Sequence, residues 1–128
     1  MLPEARLLLR RIDAPRAKEI HDEGGLLIDI RPAAQRAEFG GIPGALVVER
    51  NNLEWRLDPT GSHRLPEAVD PGRPVVIICQ EGYASSLAAA SLLSVGRTSV
   101  TDLDGGFAAW KQAGLPTTPG AGDRVPAS

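Results

Sequence analysis

One side chain in this sequence has the chemistry of a strong nucleophile. Cys79 is the single cysteine of the 128-residue chain, which excludes an internal disulfide and a cysteine-rich zinc site. A lone thiol either packs in the core as a small apolar group or reacts as a thiolate. Because free cysteines are among the most buried residues, the surroundings of Cys79 must decide between the two roles.

These surroundings favour a reactive thiolate. Residues 74–79 form the strongest strand pattern in the chain, rich in β-branched side chains, and a helix is predicted to begin at Ser85. Ligand sites in parallel α/β sheets lie beyond the carboxyl ends of the strands, and the start of a helix stabilises negative charge. Gly82 permits a tight turn rich in N–H groups, and Ser85 is expected to cap the helix or to donate to a sulfur anion.

The other segments predict a framework of alternating strands and helices. Asp13 is expected to cap the first predicted helix, and Gly24 and Gly25 to end it. The predicted strands cover residues 7–12, 26–30, 45–48, 74–79 and 99–103, and the predicted helices cover residues 14–22, 85–94 and 106–112. Residues 51–72 are the least regular part, with one helical turn around residues 53–57. This order predicts an α/β fold with about five mostly parallel strands and helices on both faces.

The composition is that of one globular domain, with no feature that indicates binding to nucleic acid or to a membrane. The chain has 14 basic and 16 acidic residues, a net charge of −2, and no basic stripe that would bind nucleic acid. No apolar run approaches the roughly 20 residues of a membrane span, and the first residues do not have the pattern of a signal peptide. We therefore expect a cytoplasmic protein that binds neither membrane nor nucleic acid. Neither histidine has partners at metal-ligand spacing, so no metal or other cofactor is expected.

A series of short motifs lies along the chain between residues 27 and 116. The motifs are LIDIR at residues 27–31, GIPGA at 41–45, CQEGYAS at 79–85 and LDGGF at 103–107, followed by Trp110 and by GLP at 114–116. No single motif is specific, but in this order and spacing they resemble the rhodanese sulfurtransferase family. The resemblance covers about residues 7–118 and implies one rhodanese-like domain over residues 1–118. Residues 119–128, rich in Pro, Gly and polar residues, are expected to form a flexible C-terminal tail.

The resemblance also implies a sulfurtransferase that works through a persulfide on Cys79. The thiolate would attack the sulfane sulfur of a donor, either thiosulfate or a persulfide, and pass it to a thiophilic acceptor such as cyanide or a thiol. A partner protein that traffics sulfur is a further candidate. The loop whose N–H groups would hold the sulfur anion consists of Gln80, Glu81, Gly82, Tyr83, Ala84 and Ser85. Asp29 and Arg31 match family positions that we take to be structural, fixing the end of their strand by polar contacts.

The loop departs from the family pattern in its charge. Many members carry Cys-x-x-Gly-x-Arg-Ser, and Ala84 stands where that arginine would be. Glu81 adds a negative charge, which opposes thiolate formation unless it faces solvent. Arg50 follows a predicted strand and is expected at the same rim as Cys79, so it is a candidate for attracting a donor anion, with Arg56 as the second choice. Each is alternatively a solvated surface arginine.

Two other functions stay open and a third is disfavoured. A rhodanese-like module could bind or sense a ligand without turnover, which fits the loss of the loop arginine. A sulfur carrier would receive a persulfide from a partner enzyme and, lacking a second cysteine, would need an external thiol for release. Cysteine phosphatases of a related fold require an arginine six residues after the cysteine, where this chain has Ser85. Without that clamp on the phosphate we expect no phosphatase activity.

Overall fold

The computed structural model of the protein describes residues 2–119. The helices are α1 (Leu2–Leu7), α2 (Ala14–Asp22), α3 (Ala33–Phe39), α4 (Leu53–Leu57), α5 (Ala84–Ser94) and α6 (Gly106–Gln112). The strands are β1 (Leu26–Asp29), β2 (Leu46–Val47), β3 (Val75–Ile78) and β4 (Val100–Asp102), and short 3₁₀ turns lie at Arg50–Asn52 and Pro66–Ala68. Helix α2 has the predicted bounds, and the carboxylate of its cap, Asp13, accepts the Arg16 N–H at 3.0 Å. The predicted helix over residues 106–112 and the helical turn over residues 53–57 are also confirmed.

The strands form one parallel sheet in the order β2-β1-β3-β4. Every residue of the central strands β1 and β3 is buried, as expected where both faces of a parallel sheet are covered. On one face Ile28 and Ile77 pack in a cluster with Leu92 of α5. On the other face Val76 packs in a cluster with Trp110 of α6. Helices on both faces of a parallel sheet confirm the predicted fold class.

The sheet in the described part of the chain has four strands rather than about five. The prediction of an edge strand over residues 7–12 is wrong, because α1 ends at Leu7 and Ile12 forms only an isolated bridge with Leu103. A short run of consecutive leucines does not distinguish a strand from a helix by periodicity. Only Leu7 of that stretch is helical, as the last residue of α1, and residues 8–11 form neither helix nor strand. Helix α1 itself is held by the buried Ala5 and by packing against α5.

Helix α3 has no counterpart among the sequence predictions. None of its residues is buried, so it lacks the apolar stripe from which a helical period is recognised. Pro32 precedes it without a side-chain cap. The predicted tail reaches beyond the described residues, since residues 120–128 lie outside them. No helix within residues 2–119 has the length and apolar character required to cross a bilayer.

Candidate active site

Cys79 lies directly after β3, where the backbone turns from the sheet toward α5. Its side chain is mostly buried, with 8% of the residue exposed. The backbone N–H of Gly82 donates to the Cys79 Sγ at 3.0 Å. Gly82 has φ +94°, a left-handed conformation that favours glycine. Residues 79–85, which we call the active-site loop, therefore curl back so that an amide contacts the sulfur.

The start of α6 fixes the first half of the active-site loop. The N–H of Phe107 donates to the Cys79 carbonyl at 2.8 Å, and the N–H of Ala108 donates to the Gln80 carbonyl at 3.0 Å. Gly106 has φ +61°, and a side chain there would collide with the carbonyl oxygen of Cys79. The LDGGF motif therefore allows the backbone at the start of α6 to contact the active-site loop. A side chain at position 106 would prevent that contact.

A buried carboxylate lies behind the second half of the active-site loop. The hydroxyls of Ser85 and Ser86 each donate to Oδ2 of Asp102 at 2.8 Å, and Asp102 is fully buried. Ser85 is the second residue of α5, whose cap position is Tyr83. In this arrangement Ser85 is neither the cap nor a donor to the sulfur, because its hydroxyl proton is committed to the carboxylate.

Two arginines that the sequence reasoning missed contact the same loop from the N-terminal segment. Arg11 donates to the Gly82 carbonyl at 2.9 Å and forms an ion pair with Asp102 at 3.1 Å. Arg6, on α1, donates to the same carbonyl at 3.1 Å. Both residues lie more than 70 positions from the glycine they contact, so no local spacing reveals the relationship.

Asp29 and Arg31 form a buried ion pair beside the loop. The distance between Arg31 Nη2 and Asp29 Oδ2 is 2.8 Å, and both side chains are almost fully buried. Arg31 also donates to the side-chain oxygen of Gln80 at 2.8 Å and to the Gly40 carbonyl at 2.7 Å. Its guanidinium lies 4.2 Å from the ring centroid of Phe107, within range of a cation–π contact. One side chain thus connects the end of β1 with the active-site loop and α6.

The outer surface of the active-site loop faces solvent. Glu81, Tyr83 and Ala84 are all exposed, so water screens the charge of Glu81. Beside Gln80 lies a cavity of about 340 Å³ that Phe39, Phe107 and Lys111 also line. The lining of the cavity is mostly apolar, and Lys111 is the one cation among the lining residues.

The two candidate donor-binding arginines have different surroundings. Arg50 lies in the 3₁₀ turn after β2, at the carboxyl edge of the sheet, and pairs with Glu54 at 2.8 Å. It lines a cavity of about 390 Å³ together with Ile30. Burial raises the pKa of Glu54, but hydrogen bonds from the Ser91 hydroxyl, the backbone and Arg50, together with the charge of Arg50, outweigh burial and lower that pKa overall.

Arg56 is on the following helix, α4, and its guanidinium lies 5.9 Å from the ring centroid of Trp55. Trp55 in turn contacts the ring of His63 at 4.6 Å. Within residues 2–119 no group of three or more His, Cys, Asp and Glu side chains is arranged to hold a metal ion.

The family model of the rhodanese-like domain matches residues 12–113 of this chain. The chain belongs to this family. Among its curated relatives is the thiosulfate sulfurtransferase GlpE of Pseudomonas fluorescens, which is 33% identical over 80% of this chain and 84% of the relative. A protein named sulfurtransferase from Allochromatium vinosum is 39% identical over 73% of this chain and 78% of its own length.

Two solved structures resemble the chain over most of its length. A protein of unknown function from Rhodopseudomonas palustris, described as a possible tyrosine phosphatase, has a TM-score of 0.82 and 29% identity, covering 91% of this chain and 89% of that one. The thiosulfate sulfurtransferase of Pseudomonas aeruginosa has a TM-score of 0.71 and 29% identity over 91% of this chain and 21% of that one.

Proposed function

We propose that the protein is a sulfurtransferase whose Cys79 carries a sulfane sulfur as a persulfide, without a metal or other cofactor. The observation that supports this most directly is the Gly82 N–H at 3.0 Å from the Cys79 Sγ. An N–H donor to sulfur at the end of a strand and the start of a helix stabilises a thiolate and an attached sulfur anion. The curated relatives named as sulfurtransferases support the same chemistry.

In the first half-reaction, the Cys79 thiolate attacks the sulfane sulfur of the donor. A bond forms between Sγ and that sulfur while the bond to the rest of the donor breaks. With thiosulfate, sulfite leaves with the electron pair; with a persulfide, the donor thiolate leaves. The enzyme then holds an anionic or protonated persulfide against the N–H groups of the active-site loop, residues 79–85.

In the second half-reaction, a thiophilic acceptor removes the outer sulfur. Cyanide or a thiolate attacks that sulfur, and the bond to Sγ breaks with its electron pair returning to Cys79 as the thiolate. Two substitution reactions of this kind require one nucleophile and no redox cofactor. A second protein carrying a thiol is a candidate acceptor as well, since the outer face of the loop is exposed at Tyr83 and Ala84.

Binding of an anionic sulfur donor would depend on a positive charge near the active-site loop. Arg50 is our first candidate for attracting an anionic donor, because it lies at the carboxyl edge of the sheet and lines a cavity there. Its ion pair with Glu54 offsets part of that attraction. Arg56 is the second candidate. We further propose that the functional domain comprises residues 1–118; the cytoplasmic location remains a prediction from the sequence.

A phosphatase reaction has weaker support despite the description of one structural neighbour. At the position that would need an arginine, the Ser85 hydroxyl donates to Asp102. A dianionic phosphate would therefore lack a bidentate clamp. Two alternatives remain, a module that binds without turnover and a sulfur carrier. The mass-spectrometry experiment described next distinguishes both from an enzyme.

Intact mass spectrometry tests the proposal. The protein is incubated with thiosulfate or with glutathione persulfide, and an addition of one sulfur is sought that Cys79→Ser abolishes. Subsequent loss of that sulfur to cyanide or a thiol, with product formed over many turnovers, identifies a sulfurtransferase. Uptake from the persulfide alone, without turnover, would identify a carrier. Uptake from neither donor would contradict the proposed function.

A further inference from the structure

Two arginines of the N-terminal segment hold the back of the active-site loop. Arg6 and Arg11 each direct a terminal guanidinium nitrogen to the carbonyl oxygen of Gly82, at 3.1 and 2.9 Å. Arg6 also donates from Nε to the hydroxyl of Ser86 at 3.1 Å. The match of the family model begins at residue 12, after both arginines.

This contact sets the orientation of a peptide group inside the loop. The Gly82 carbonyl belongs to the same peptide group as the N–H of Tyr83. The C=O and N–H of a trans peptide point in opposite directions, and the described residues contain no cis peptide bond. Because both guanidinium groups hold the carbonyl, the Tyr83 N–H points away from them. The adjoining peptide group is the one whose N–H contacts the Cys79 Sγ.

The two arginines differ in how their charge is balanced. Arg11 forms ion pairs of 3.1 Å with both Asp102 and Asp104, so carboxylates offset its charge. The two hydrogen bonds that Arg6 makes with the loop and with α5 end on a carbonyl and a hydroxyl oxygen, which are neutral. Arg6 therefore has no direct carboxylate partner in these contacts; the carboxylate that they reach through the Ser86 hydroxyl is Asp102, which already pairs with Arg11.

We propose that Arg6 is a positioning residue of the active-site loop and supplies from α1 the cation that Ala84 leaves out of the loop itself. It orients the peptide groups around Gly82 and stabilises the anionic sulfur on Cys79 without touching it. Its role in sulfur transfer rests on the proposed function. Its effect on the thiolate does not, because alkylation of a cysteine measures that directly.

The experiment compares Arg6→Gln, Arg6→Lys and Arg10→Gln with the wild-type protein. Arg10 is exposed and lies in the same segment, so Arg10→Gln removes an equal charge without touching the loop. The rate constant for alkylation of Cys79 by iodoacetamide is measured as a function of pH, and sulfur uptake from thiosulfate is measured in parallel. Melting curves establish that each variant is folded.

Arg6→Gln is expected to slow alkylation near pH 7 about fivefold, the scale of one partly screened charge, and to move the midpoint of the pH profile upward. Arg6→Lys keeps the charge and is expected to alkylate like the wild type. It loses the forked contact to two oxygens, so its sulfur uptake is expected to fall about threefold, roughly the effect of one modest hydrogen bond. Arg10→Gln is expected to behave as the wild type in both measurements.

An Arg6→Gln profile that superimposes on the wild-type profile would overturn the inference, as would an equal shift in Arg10→Gln. Should Arg6→Gln not fold, Arg6→Lys decides: wild-type sulfur uptake in that variant would overturn a positioning role, and reduced uptake with normal alkylation would support it. If no protein, wild type included, takes up sulfur while the alkylation profile still shifts in Arg6→Gln, the proposed function fails and the effect of Arg6 on the thiolate stands.

Discussion

Gly82 packs against the backbone of Gly105 so closely that a Cβ on Gly82 would lie 2.9 Å from the Gly105 nitrogen. The same Cβ would lie 3.1 Å from a terminal nitrogen of Arg11. The glycine therefore serves two purposes: it permits the left-handed turn that directs an N–H at the cysteine sulfur, and it lets the loop approach the start of α6. Both depend on the absence of a side chain.

Gly82→Ala is expected to lower the free energy of unfolding by about 2–4 kcal/mol, from left-handed strain together with the backbone clash. Sulfur uptake by Cys79 is expected to fall at least about tenfold, since a shift of the loop removes the N–H from the sulfur. Urea denaturation and intact mass measure the two effects. Gly24→Ala is the matched control, because Gly24 has φ +99° and a Cβ there would meet nothing within 4 Å; it should cost about 1 kcal/mol and leave uptake unchanged. Equal effects of the two variants would contradict this account.

Ala84→Arg restores the arginine of the family pattern at an exposed position at the start of α5. The added charge beside the loop is expected to increase the rate of sulfur uptake from thiosulfate about five- to tenfold, as one partly screened charge would. Uptake from glutathione persulfide is expected to change less, because that donor carries less negative charge at the reacting end. Uptake reactions quenched at successive times and analysed by intact mass spectrometry give the rates with thiosulfate and with glutathione persulfide. Ala84→Gln adds length without charge and should resemble the wild type; a similar gain in that variant would count against an electrostatic cause.

Arg50→Ala tests whether this arginine attracts the donor. If it does, the KM for thiosulfate is expected to rise about two- to fivefold, the effect of a partly neutralised surface charge, while kcat changes little. Arg56→Ala is expected to have a smaller effect, and Arg16→Ala, on the exposed face of α2, none. Steady-state kinetics with thiosulfate and cyanide measure all three. An unchanged KM in Arg50→Ala would identify a solvated surface residue.

The features that the sequence predicts well are those fixed by neighbours along the chain. The Asp13 cap and the bounds of α2 follow from local hydrogen bonding. The position of Cys79 between a strand and a helix follows from a run of β-branched residues and the glycine after it. These signals lie within a few residues of each other, so no knowledge of the tertiary structure is needed.

What the sequence does not predict depends on contacts between distant segments. Arg11 and Gly82 are 71 positions apart and Arg6 and Gly82 are 76 positions apart, so no local pattern relates either arginine to the loop. The role of Ser85 differs from the prediction for the same reason: its hydroxyl donates to Asp102 instead of capping the helix or contacting the sulfur. Near a helix start a hydroxyl has several available acceptors, and only the position of β4 places the carboxylate of Asp102 within 2.8 Å of it.

Arg31→Met tests the structural role of the buried pair with Asp29. Removing the guanidinium leaves a buried carboxylate without its partner, which is expected to lower the free energy of unfolding by about 3–5 kcal/mol. Arg16→Met is the control, because its pair with Glu19 is exposed and should cost less than about 0.5 kcal/mol. Urea denaturation compares the two variants. A cost for Arg31→Met no larger than that of the control would show that the pair does not stabilise the fold.

Glu54→Gln tests the contacts that join α4 to Arg50 and to Ser91 of α5. The pKa of Glu54 lies below its ordinary value of 4.5, so the folded state binds the proton less readily than the unfolded state. The stabilisation that its charge gives is therefore fully present above about pH 4.5 and is lost as the pH falls through the lower folded-state pKa. Melting temperatures of the wild type and Glu54→Gln are expected to differ by a constant amount between pH 7 and pH 5 and to converge in more acidic solution. Glu38→Gln removes an exposed carboxylate from α3 and should show no such convergence; a wild-type advantage over Glu54→Gln that grows on acidification would contradict the argument.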